Sequence, residues 1–300
     1  NAWLEVFYPR PLLHPSPELI QGLGQLIDLA GNEGTLALDE ATRSALCTVM
    51  EQPDQLALLE TLKDSQKPCV LTWLKIDGPI ESTPAAYLKL HLLSHGLTRP
   101  NSLNLEGIYA ALPNIAWTSD GPMDLSELPD AMLLARLAGR HLEVTSLDKF
   151  PKLTNYVTPE GVRIADSARV RLGAYLGAGT TVMHEGFVNF NAGTEGPNMV
   201  EGRISQGVFV AKGSDLGGSA STAGTLSGGG NHVISIGEDC LISANAGTGI
   251  SLGDRCTIEA GLYITPGTQV SLLDEQGDLV KTLKARELNA QNDLLFIRHS

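Results

Sequence analysis

The sequence has few of the residues that mark several common protein classes. Aromatic residues make up 5% of the 300 positions, and the four cysteines include no CxxC pair and no zinc-finger spacing. Neither a disulfide framework nor a structural zinc site is therefore expected. Reduced cysteines are typical of cytoplasmic proteins, so the predicted location is the cytoplasm. Lysine and arginine total 21 against 34 acidic residues, a net charge of −13. This balance argues against nucleic acid or an anionic membrane as a partner.

Long hydrophobic runs are also missing. No apolar run approaches the eighteen or so residues that a transmembrane helix needs, and no signal peptide is visible. The sequence therefore predicts no membrane partner.

An aliphatic residue recurs every six positions between 164 and 270. The first run is Ile164, Val170, Leu176, Val182 and Val188. The second run is Ile204, Val210, Leu216, Thr222, Gly228, Ile234, Cys240, Ala246, Leu252, Ile258, Ile264 and Val270, with Thr222 and Gly228 as weak members. We expect all twelve residues of the second run to occupy the same inward position of the repeat, with no shift between them. The irregular step from Val188 to Ile204 predicts that residues 189–203 leave the regular path.

A period of six fits neither an α-helix nor an ordinary strand, but it is typical of a hexapeptide-repeat parallel β-helix. Three six-residue units form one triangular coil, and successive coils stack the aliphatic residue at about 4.8 Å. A glycine-rich β-sandwich is the alternative, but it gives no reason for one six-residue period. The predicted fold class is mainly β, a left-handed parallel β-helix with an N-terminal α/β domain and a C-terminal cap.

Three parts follow from these patterns: an α/β domain over 1–150, the β-helix over 151–270, and a capping segment over 271–300. The cap is expected because the open end of a β-helix invites edge pairing. Helices are predicted at 17–29, 38–49, 53–62, 84–96 and 125–139, and strands at 1–10, 69–76 and within 106–119. His91 and His95 lie four apart on one predicted helix, and we expect surface or half-buried histidines rather than metal ligands.

The chemistry is expected where the six-residue pattern breaks, at 189–203 and at 217–232. Glu201 is the acid of the first break, and it could act as a general base or as a nucleophile on a thioester. A salt bridge to Arg203 is the alternative. The second break is rich in glycine, which lets a thin cofactor arm approach and leaves N–H groups to polarise a thioester carbonyl. Glycines that merely turn corners are the alternative there.

Three motifs, MHEGFVNFNAGT, MVEGRIS and LSGGG, resemble the tetrahydrodipicolinate N-succinyltransferase family in its long-chain actinobacterial and pseudomonad branch. The resemblance is dense from about 150 to 298, and the N-terminal half resembles the family in layout. It implies transfer of succinyl from succinyl-CoA to the amino group of L-2-amino-6-oxoheptanedioate, the open form of tetrahydrodipicolinate, in lysine and diaminopimelate biosynthesis. It also implies a homotrimer with active sites between neighbouring β-helices.

The same resemblance assigns site residues. It makes Glu201 the catalytic acid, as nucleophile or base, and the Gly224 N–H the oxyanion donor. The implied CoA contacts are Arg203, Gly218, Ser221, Ala244, Glu259, Ala260, Gly267, Lys284 and Arg298. A Mg²⁺ ion on the threefold axis is implied through Glu185 and an upstream acid, for which Asp166 is the candidate, although the aligned position holds Ala168.

The residue types agree in part with this assignment, and they also leave alternative functions open. Lys284, Arg286 and Arg298 form a local basic patch suited to CoA phosphates, and Arg203 with the asparagines of 189–198 suits a dicarboxylate substrate. The rivals are an acetyl-CoA-dependent acyltransferase on a related amine and a non-catalytic scaffold. A β-helix carbonic anhydrase needs three zinc-binding histidines, whereas the β-helix holds only His184 and His232.

Overall fold

The computed structural model describes residues 3–50, 52–63, 65–224 and 233–298. They form two compact units, one made of residues 1–92 and 103–150 and the other of residues 93–102 and 151–300. Among the described residues, no helix is long and apolar enough to cross a membrane.

The first unit mixes short helices with two small antiparallel sheets. Its elements are α1 (Pro17–Leu26), β1 (Glu33–Leu38), α2 (Glu40–Leu46), α3 (Pro53–Leu62), β2 (Cys69–Leu74), α4 (Thr83–Ser94), α5 (Ile108–Ala111), β3 (Ile115–Thr118), β4 (Gly121–Met123), α6 (Leu128–Leu137) and β5 (Val144–Asp148). Strand β1 pairs with β2, and β3 lies between β4 and β5. Five helices start or end within a few residues of their predicted limits. The strand predicted at 1–10 is wrong for the described residues 3–10, and β1 was not predicted.

Helix α4 contributes a large part of the core of the first unit, and its buried side chains include those of Lys89 and His91. Lys89 is 2% exposed, and its Nζ donates to Asp77 Oδ1 at 2.6 Å and to two backbone carbonyls. His91 is fully buried; its Nδ1 lies 2.7 Å from the Tyr87 carbonyl and its Nε2 accepts the Tyr8 N–H at 3.3 Å. The prediction of a surface or half-buried histidine is therefore wrong for His91, which is a hydrogen-bonded core residue.

The second unit is built on three parallel sheets of two-residue strands. These strands are β6 (Arg163–Ile164), β7 (Tyr175–Leu176), β8 (Thr181–Val182), β9 (Phe187–Val188), β10 (Gly193–Thr194), β11 (Met199–Val200), β12 (Arg203–Ile204), β13 (Phe209–Val210), β14 (Asp215–Leu216), β15 (Ser221–Thr222), β16 (Ser235–Ile236), β17 (Leu241–Ile242), β18 (Gly247–Thr248), β19 (Thr257–Ile258) and β20 (Tyr263–Ile264). Sheet I contains β6, β8, β11, β14, β17 and β19; sheet II contains β9, β12, β15, β18 and β20; sheet III contains β7, β10, β13 and β16. Because the chain visits the sheets in rotation, it forms a parallel β-helix.

The second residue of each strand points inward and stacks on its equivalent in the next coil. Most of these inward residues are Val, Ile or Leu with no exposed surface. Threonine replaces them at 194, 222 and 248, each fully buried. Their hydroxyls are satisfied locally; for example, Thr194 Oγ1 lies 2.8 Å from Thr180 Oγ1, and Thr222 Oγ1 donates to the Arg203 carbonyl at 3.0 Å.

The predicted single phase of the second run is wrong. Val210 pairs with Ile236 and Leu216 pairs with Ile242, so the inward stack moves two residues past Ile234 and Cys240. The shift is hidden in the sequence because the residue two positions before each inward residue is also buried. The original phase returns at Leu252, which bridges Ile236.

Residues 189–203 also differ from the prediction, because they stay inside the β-helix. Strand β10 pairs with β7 and β13, and β11 pairs with β8. The phase changes at one corner, where Glu201 and Gly202 alone separate β11 from β12. Glu201 therefore lies in an unusually short turn between sheets I and II.

A segment from earlier in the chain covers the outer face of sheet III. We call residues 93–102 the strap. The Arg99 guanidinium lies 5.7 Å from the Tyr175 ring centroid and 5.3 Å from that of Phe209, and it pairs with Glu195 at 3.1 Å. The Asn101 N–H donates to Asn191 Oδ1 at 2.7 Å. This face of the β-helix is therefore closed by the chain itself.

The C-terminal segment closes the end of the β-helix, as the sequence predicted. Strands β21 (Gln269–Leu273) and β22 (Leu279–Lys284) form an antiparallel hairpin, and β23 (Leu295–Phe296) pairs in parallel with β19 as the last strand of sheet I. The Gly253 N–H donates to the Gln291 carbonyl at 3.0 Å. The backbone of the last coil is therefore paired with the cap rather than exposed as an open edge.

Candidate active site

The corner between sheets I and II gathers predicted site residues that are far apart in the sequence. Each coil contributes the residues that connect a strand of sheet I to the following strand of sheet II. We call this set the corner column: Glu185, Glu201, Gly218, Ala244, Ala260 and, from the cap, Arg298. Backbone hydrogen bonds join its later levels, from Asn245 N–H to the Gly218 carbonyl and from Gly261 N–H to the Ala244 carbonyl, both at 2.9 Å.

Two carboxylates meet near Gly218 in the corner column. A Cβ placed on Gly218 would lie 3.6 Å from Glu185 Oε2 and 3.8 Å from Glu201 Oε2. The Ser219 hydroxyl lies 3.4 Å from Glu185 Oε2. Glu201 is half-buried, and in the part of the chain that the structure describes it forms no ion pair with Arg203. The space over Gly218 therefore faces a carboxylate that is available for chemistry.

The outer face of sheet II carries two small residues, Ser221 and Gly247, between Arg203 and Tyr263. Arg203 lies next to Ser221 in register, and Gly247 and Tyr263 follow in the next two coils. Arg203 is exposed, and the Tyr263 ring lies directly over Gly247, where any side chain would collide with it. Tyr263 was not among the predicted site residues. The sequence could have indicated Tyr263, because it is an aromatic residue next to the inward Ile264 in a chain with few aromatic residues.

The far end of the corner column is tied to the cap by one residue pair. The Arg298 N–H donates to Glu259 Oε2 at 2.6 Å, and the Arg298 guanidinium donates to Glu259 Oε1 at 3.2 Å and to the Ala260 carbonyl at 2.9 Å. These bonds, the backbone one first, hold the pKa of Glu259 below its usual value. Arg298 is thus positioned at the end of the column, with part of its charge already compensated.

Three predicted residues lie at the opposite edge of sheet II. A Cβ on Gly224 would lie 3.2 Å from the Gln206 carbonyl oxygen, so Gly224 stacks on that corner. Gly224 is therefore four to five residues along the coil from Glu201, roughly 13 to 16 Å away. Gly267 follows β20 in the last coil, where the neighbouring carbonyls of Pro266 and Thr268 accept the N–H groups of the Arg286 and Ala285 segment that follows Lys284. One chain does not bring these residues to Glu201.

The predicted LSGGG motif and His232 fall within 225–232, outside the described residues.

The side chains of the predicted metal ligands already contact other groups of the chain. Asp166 Oδ1 accepts the Ala168 N–H at 2.9 Å, and Glu185 faces Ser219. Within the described ranges, no group of three His, Cys, Asp or Glu residues could hold a metal ion. A single chain therefore does not assemble the predicted Mg²⁺ site.

Comparisons with known proteins identify the family. The family described as "Hexapeptide repeat of succinyl-transferase" matches residues 233–266, and "Tetrahydrodipicolinate N-succinyltransferase middle" matches residues 112–152. The 2,3,4,5-tetrahydropyridine-2,6-dicarboxylate N-succinyltransferase of Pseudomonas putida is 61% identical, with all of this chain aligned to 88% of the relative. The Vibrio cholerae enzyme of that name is 51% identical over 99% of this chain and 88% of its own length. This chain belongs to the tetrahydrodipicolinate N-succinyltransferase family.

A solved structure supports the same conclusion for the fold. A Campylobacter jejuni protein provisionally named 2,3,4,5-tetrahydropyridine-2-carboxylate N-succinyltransferase superimposes with a TM-score of 0.85 and 34% identity, over 94% of this chain and 80% of that one. Together with the hexapeptide-repeat match, this confirms the left-handed parallel β-helix that the sequence predicted. The match at 112–152 also extends the family resemblance into the N-terminal half, where the sequence showed only a similar layout.

Proposed function

We propose that this protein transfers the succinyl group of succinyl-CoA to the amino group of open-chain tetrahydrodipicolinate in lysine and diaminopimelate biosynthesis. Relatives that carry this enzyme name align along almost the whole chain. The observation that carries the proposal is the corner column, which stacks Glu201, Gly218, Ala244, Ala260 and Arg298 along one edge of the β-helix. Fold alone would leave the reaction open, because one fold hosts many activities.

The corner column suits a long, thin thioester such as CoA. Glu201 and Arg298 are separated by four coil steps of about 4.8 Å, so the column is roughly 19 Å long. Its levels at 218, 244 and 260 are glycine or alanine, which allow close approach of the pantetheine arm. In this arrangement the thioester lies at Glu201, and the phosphates lie toward Arg298 at the far end of the column. Lys284 and Arg286 lie at the opposite edge of sheet II, so within one chain they do not extend the column.

Glu201 supports two chemical routes that balance. As a general base, its carboxylate takes a proton from the substrate amine while the nitrogen attacks the thioester carbonyl, and CoA leaves as the thiolate. As a nucleophile, its oxygen displaces CoA as the thiolate to form an acyl anhydride. The amine then attacks the anhydride to form the amide, its proton passes to the released thiolate, and Glu201 leaves as the carboxylate. In both routes the carbonyl oxygen gains negative charge, and the Gly224 N–H is the proposed donor to it.

A homotrimer resolves the separation of Glu201 from Gly224. In a cleft between two copies, the corner of one subunit and the opposite edge of sheet II of its neighbour can face the same carbonyl. Sheet I supports such packing, because its outer face exposes Met199, Leu241 and Leu295. Sedimentation is expected to give about three times the 31.8-kDa chain mass. An active monomer would contradict the shared site.

The magnesium ion and the location are minor parts of the proposal. The residues of one chain do not fit a divalent ion, so the ion would depend on three copies of Glu185 brought together on the trimer axis, and no step of the reaction is assigned to it. Metal analysis of the purified trimer, compared with Glu185→Gln, tests this point. Four free cysteines are consistent with the cytoplasm as the location.

The decisive test of the function is CoA thiol release by the full chain. We expect release that requires both tetrahydrodipicolinate and succinyl-CoA, with acetyl-CoA a poor donor. Release with acetyl-CoA alone would keep the fold and the acyl-transfer class but replace the donor. No release with either donor would favour the non-catalytic scaffold.

A further inference from the structure

We propose that a cavity in the first unit binds a small molecule that carries an ammonium group on an aliphatic chain, either a diamine or a basic amino acid. Glu33 and Glu81 are its proposed anionic partners. The inference does not rest on the proposed succinyl transfer, because the cavity belongs to the first unit and the corner column to the second.

The cavity lies beside the start of α4, and we call it the α4 cavity. It has a volume of about 350 Å³, and its lining includes Trp3, Glu33, Thr35, Glu81, Ser82 and Pro84. All six residues belong to the first unit. Small-molecule sites have volumes of about 300 to 1,000 Å³, so the α4 cavity suits a ligand of amino-acid size rather than a nucleotide.

A hydrogen bond joins the two acidic segments of the lining. The Ser82 hydroxyl donates to Glu33 Oε1 at 2.5 Å. Ser82 also begins α4, where its hydroxyl oxygen accepts the Ala85 N–H at 3.3 Å. The Glu33 carboxylate is therefore held at the wall of the cavity, next to the segment that carries Glu81, and its second oxygen remains for a ligand.

The negative charge of the α4 cavity is not neutralised by the described residues. Neither Glu33 nor Glu81 forms an ion pair with any of them. Burial raises the pKa of the Tyr8 phenol, and the charge of Glu33 adds to that rise. Two carboxylates without a counter-ion repel phosphates and other carboxylates. The charge of the cavity therefore excludes a nucleotide or CoA and favours a cation.

The lining favours an organic cation over a metal ion. No group of three His, Cys, Asp or Glu residues in the described part of the chain could hold a metal ion, and this cavity contributes only Glu33 and Glu81. Trp3 is half-buried and adds an indole ring, which attracts ammonium groups and packs against aliphatic carbon. The cavity thus offers partners to both the charge and the stem of an aliphatic amine.

Main-chain groups of β1 add polar partners. The Lys75 N–H donates to the Asn32 carbonyl at 2.7 Å, and bonding positions alternate along an antiparallel pair. Glu33 and Thr35 therefore turn their main-chain groups away from β2, and β1 pairs with no other strand among the described residues. These N–H and C=O groups can bind the second polar group of the ligand, which is a carboxylate or another amine.

Calorimetric titration of the full chain with 1,5-diaminopentane and with L-lysine tests the site. Saturable binding of at least one probe is expected, and it should weaken as salt is added. Glu33→Gln keeps an oxygen for the Ser82 hydroxyl but removes the charge, so it should weaken binding about 10- to 100-fold. Glu81→Gln should weaken binding about 2- to 5-fold, because Glu81 is exposed and an exposed ion pair contributes less.

Glu127→Gln is the matched control for both substitutions. Glu127 is an exposed acid of the same unit, and its side chain makes no capping hydrogen bond at the start of α6. This variant removes the same charge without changing the lining of the α4 cavity. Its affinity for both probes should equal that of the wild type.

A third probe tests whether the ammonium group is what the cavity recognises. L-Norleucine has the carbon skeleton of L-lysine without the side-chain amine, and it should bind at least about 10-fold more weakly than L-lysine. Tighter binding of L-lysine than of 1,5-diaminopentane identifies a basic amino acid as the ligand class. The reverse order identifies a diamine.

Four results would overturn the site. They are no saturable binding of either amine up to about 10 mM, unchanged affinity in both Glu33→Gln and Glu81→Gln, equal affinity for L-lysine and L-norleucine, and loss of binding in Glu201→Gln alone. The last result would assign the probe to the candidate active site instead. If the thermal midpoint shows that Glu33→Gln is unfolded, Glu81→Gln decides, and unchanged affinity in that variant refutes the site.

Discussion

Replacing Glu201 with alanine is expected to lower kcat for succinyl transfer about 100- to 10,000-fold, the range that a general acid or base contributes. The physical reason is that the corner at Glu201 places its carboxylate beside the open space over Gly218, where the thioester is proposed to lie. KM for succinyl-CoA should change little, because most of the proposed CoA contacts lie further along the corner column. Steady-state kinetics of thiol release measures both parameters.

The matched control for this substitution is Glu195→Ala. Glu195 is also in the β-helix, and it pairs with Arg99 at 3.1 Å on the face that the strap covers. Surface ion pairs contribute about 0 to 1 kcal/mol to stability, so this variant should fold and keep its activity. If Glu201→Ala stays active, the chemistry lies elsewhere, and the exposed His184 becomes the next candidate.

Mass spectrometry of the wild-type protein separates the two routes. If Glu201 is the nucleophile, succinyl-CoA without acceptor should leave a succinyl adduct on Glu201, detectable by mass spectrometry of rapidly quenched wild-type protein. If Glu201 is the base, no adduct forms, although transfer still requires the carboxylate.

Gly177→Ala is expected to destabilise the β-helix by about 1 to 3 kcal/mol, the usual cost of overpacking a close-packed interior. A Cβ at Gly177 would lie 2.5 Å from the Glu195 carbonyl carbon of the next coil, and still nearer its oxygen. Both coils would have to separate at that corner. The thermal midpoint should fall by roughly 3 to 10 °C, measured by calorimetry.

Gly267→Ala is the control for this stability measurement. A Cβ at Gly267 meets no atom within 4 Å, and the glycine belongs to the same β-helix. Its thermal midpoint should equal that of the wild type. Equal midpoints in both variants would show that the corners of this β-helix adjust freely to added volume.

The period of six was readable because each side of the β-helix is short and buries one residue per strand. Between 222 and 252, however, the sequence did not show which residue of each repeat points inward. Ile234 and Cys240 are apolar, like the inward residues Ile236 and Ile242 that replace them, so composition does not distinguish the two positions. The inward positions are fixed by the pairing of Ile236 with Val210 and of Ile242 with Leu216. This pairing between coils can be seen only in the folded structure.

The candidate site was only partly predictable for a similar reason. Glu201 stood out as an acid at a change of phase, and the structure explains that change as a two-residue corner. The strap does not follow from the sequence, because Arg99 contacts rings that lie far along the chain. Gly224 and Glu201 are close in the sequence of coils but lie at opposite edges of a sheet.

The strap has a consequence for the order in which the molecule is completed. Residues 93–102 are synthesised well before Tyr175 and Phe209, the rings on which Arg99 lies. On the ribosome, Arg99 has no rings to cover until several coils have emerged, and closing so long a loop costs entropy that local contacts do not repay. Residues 151–300 alone would therefore leave the outer face of sheet III uncovered. The strap that covers this face is synthesised before the first strand of the β-helix.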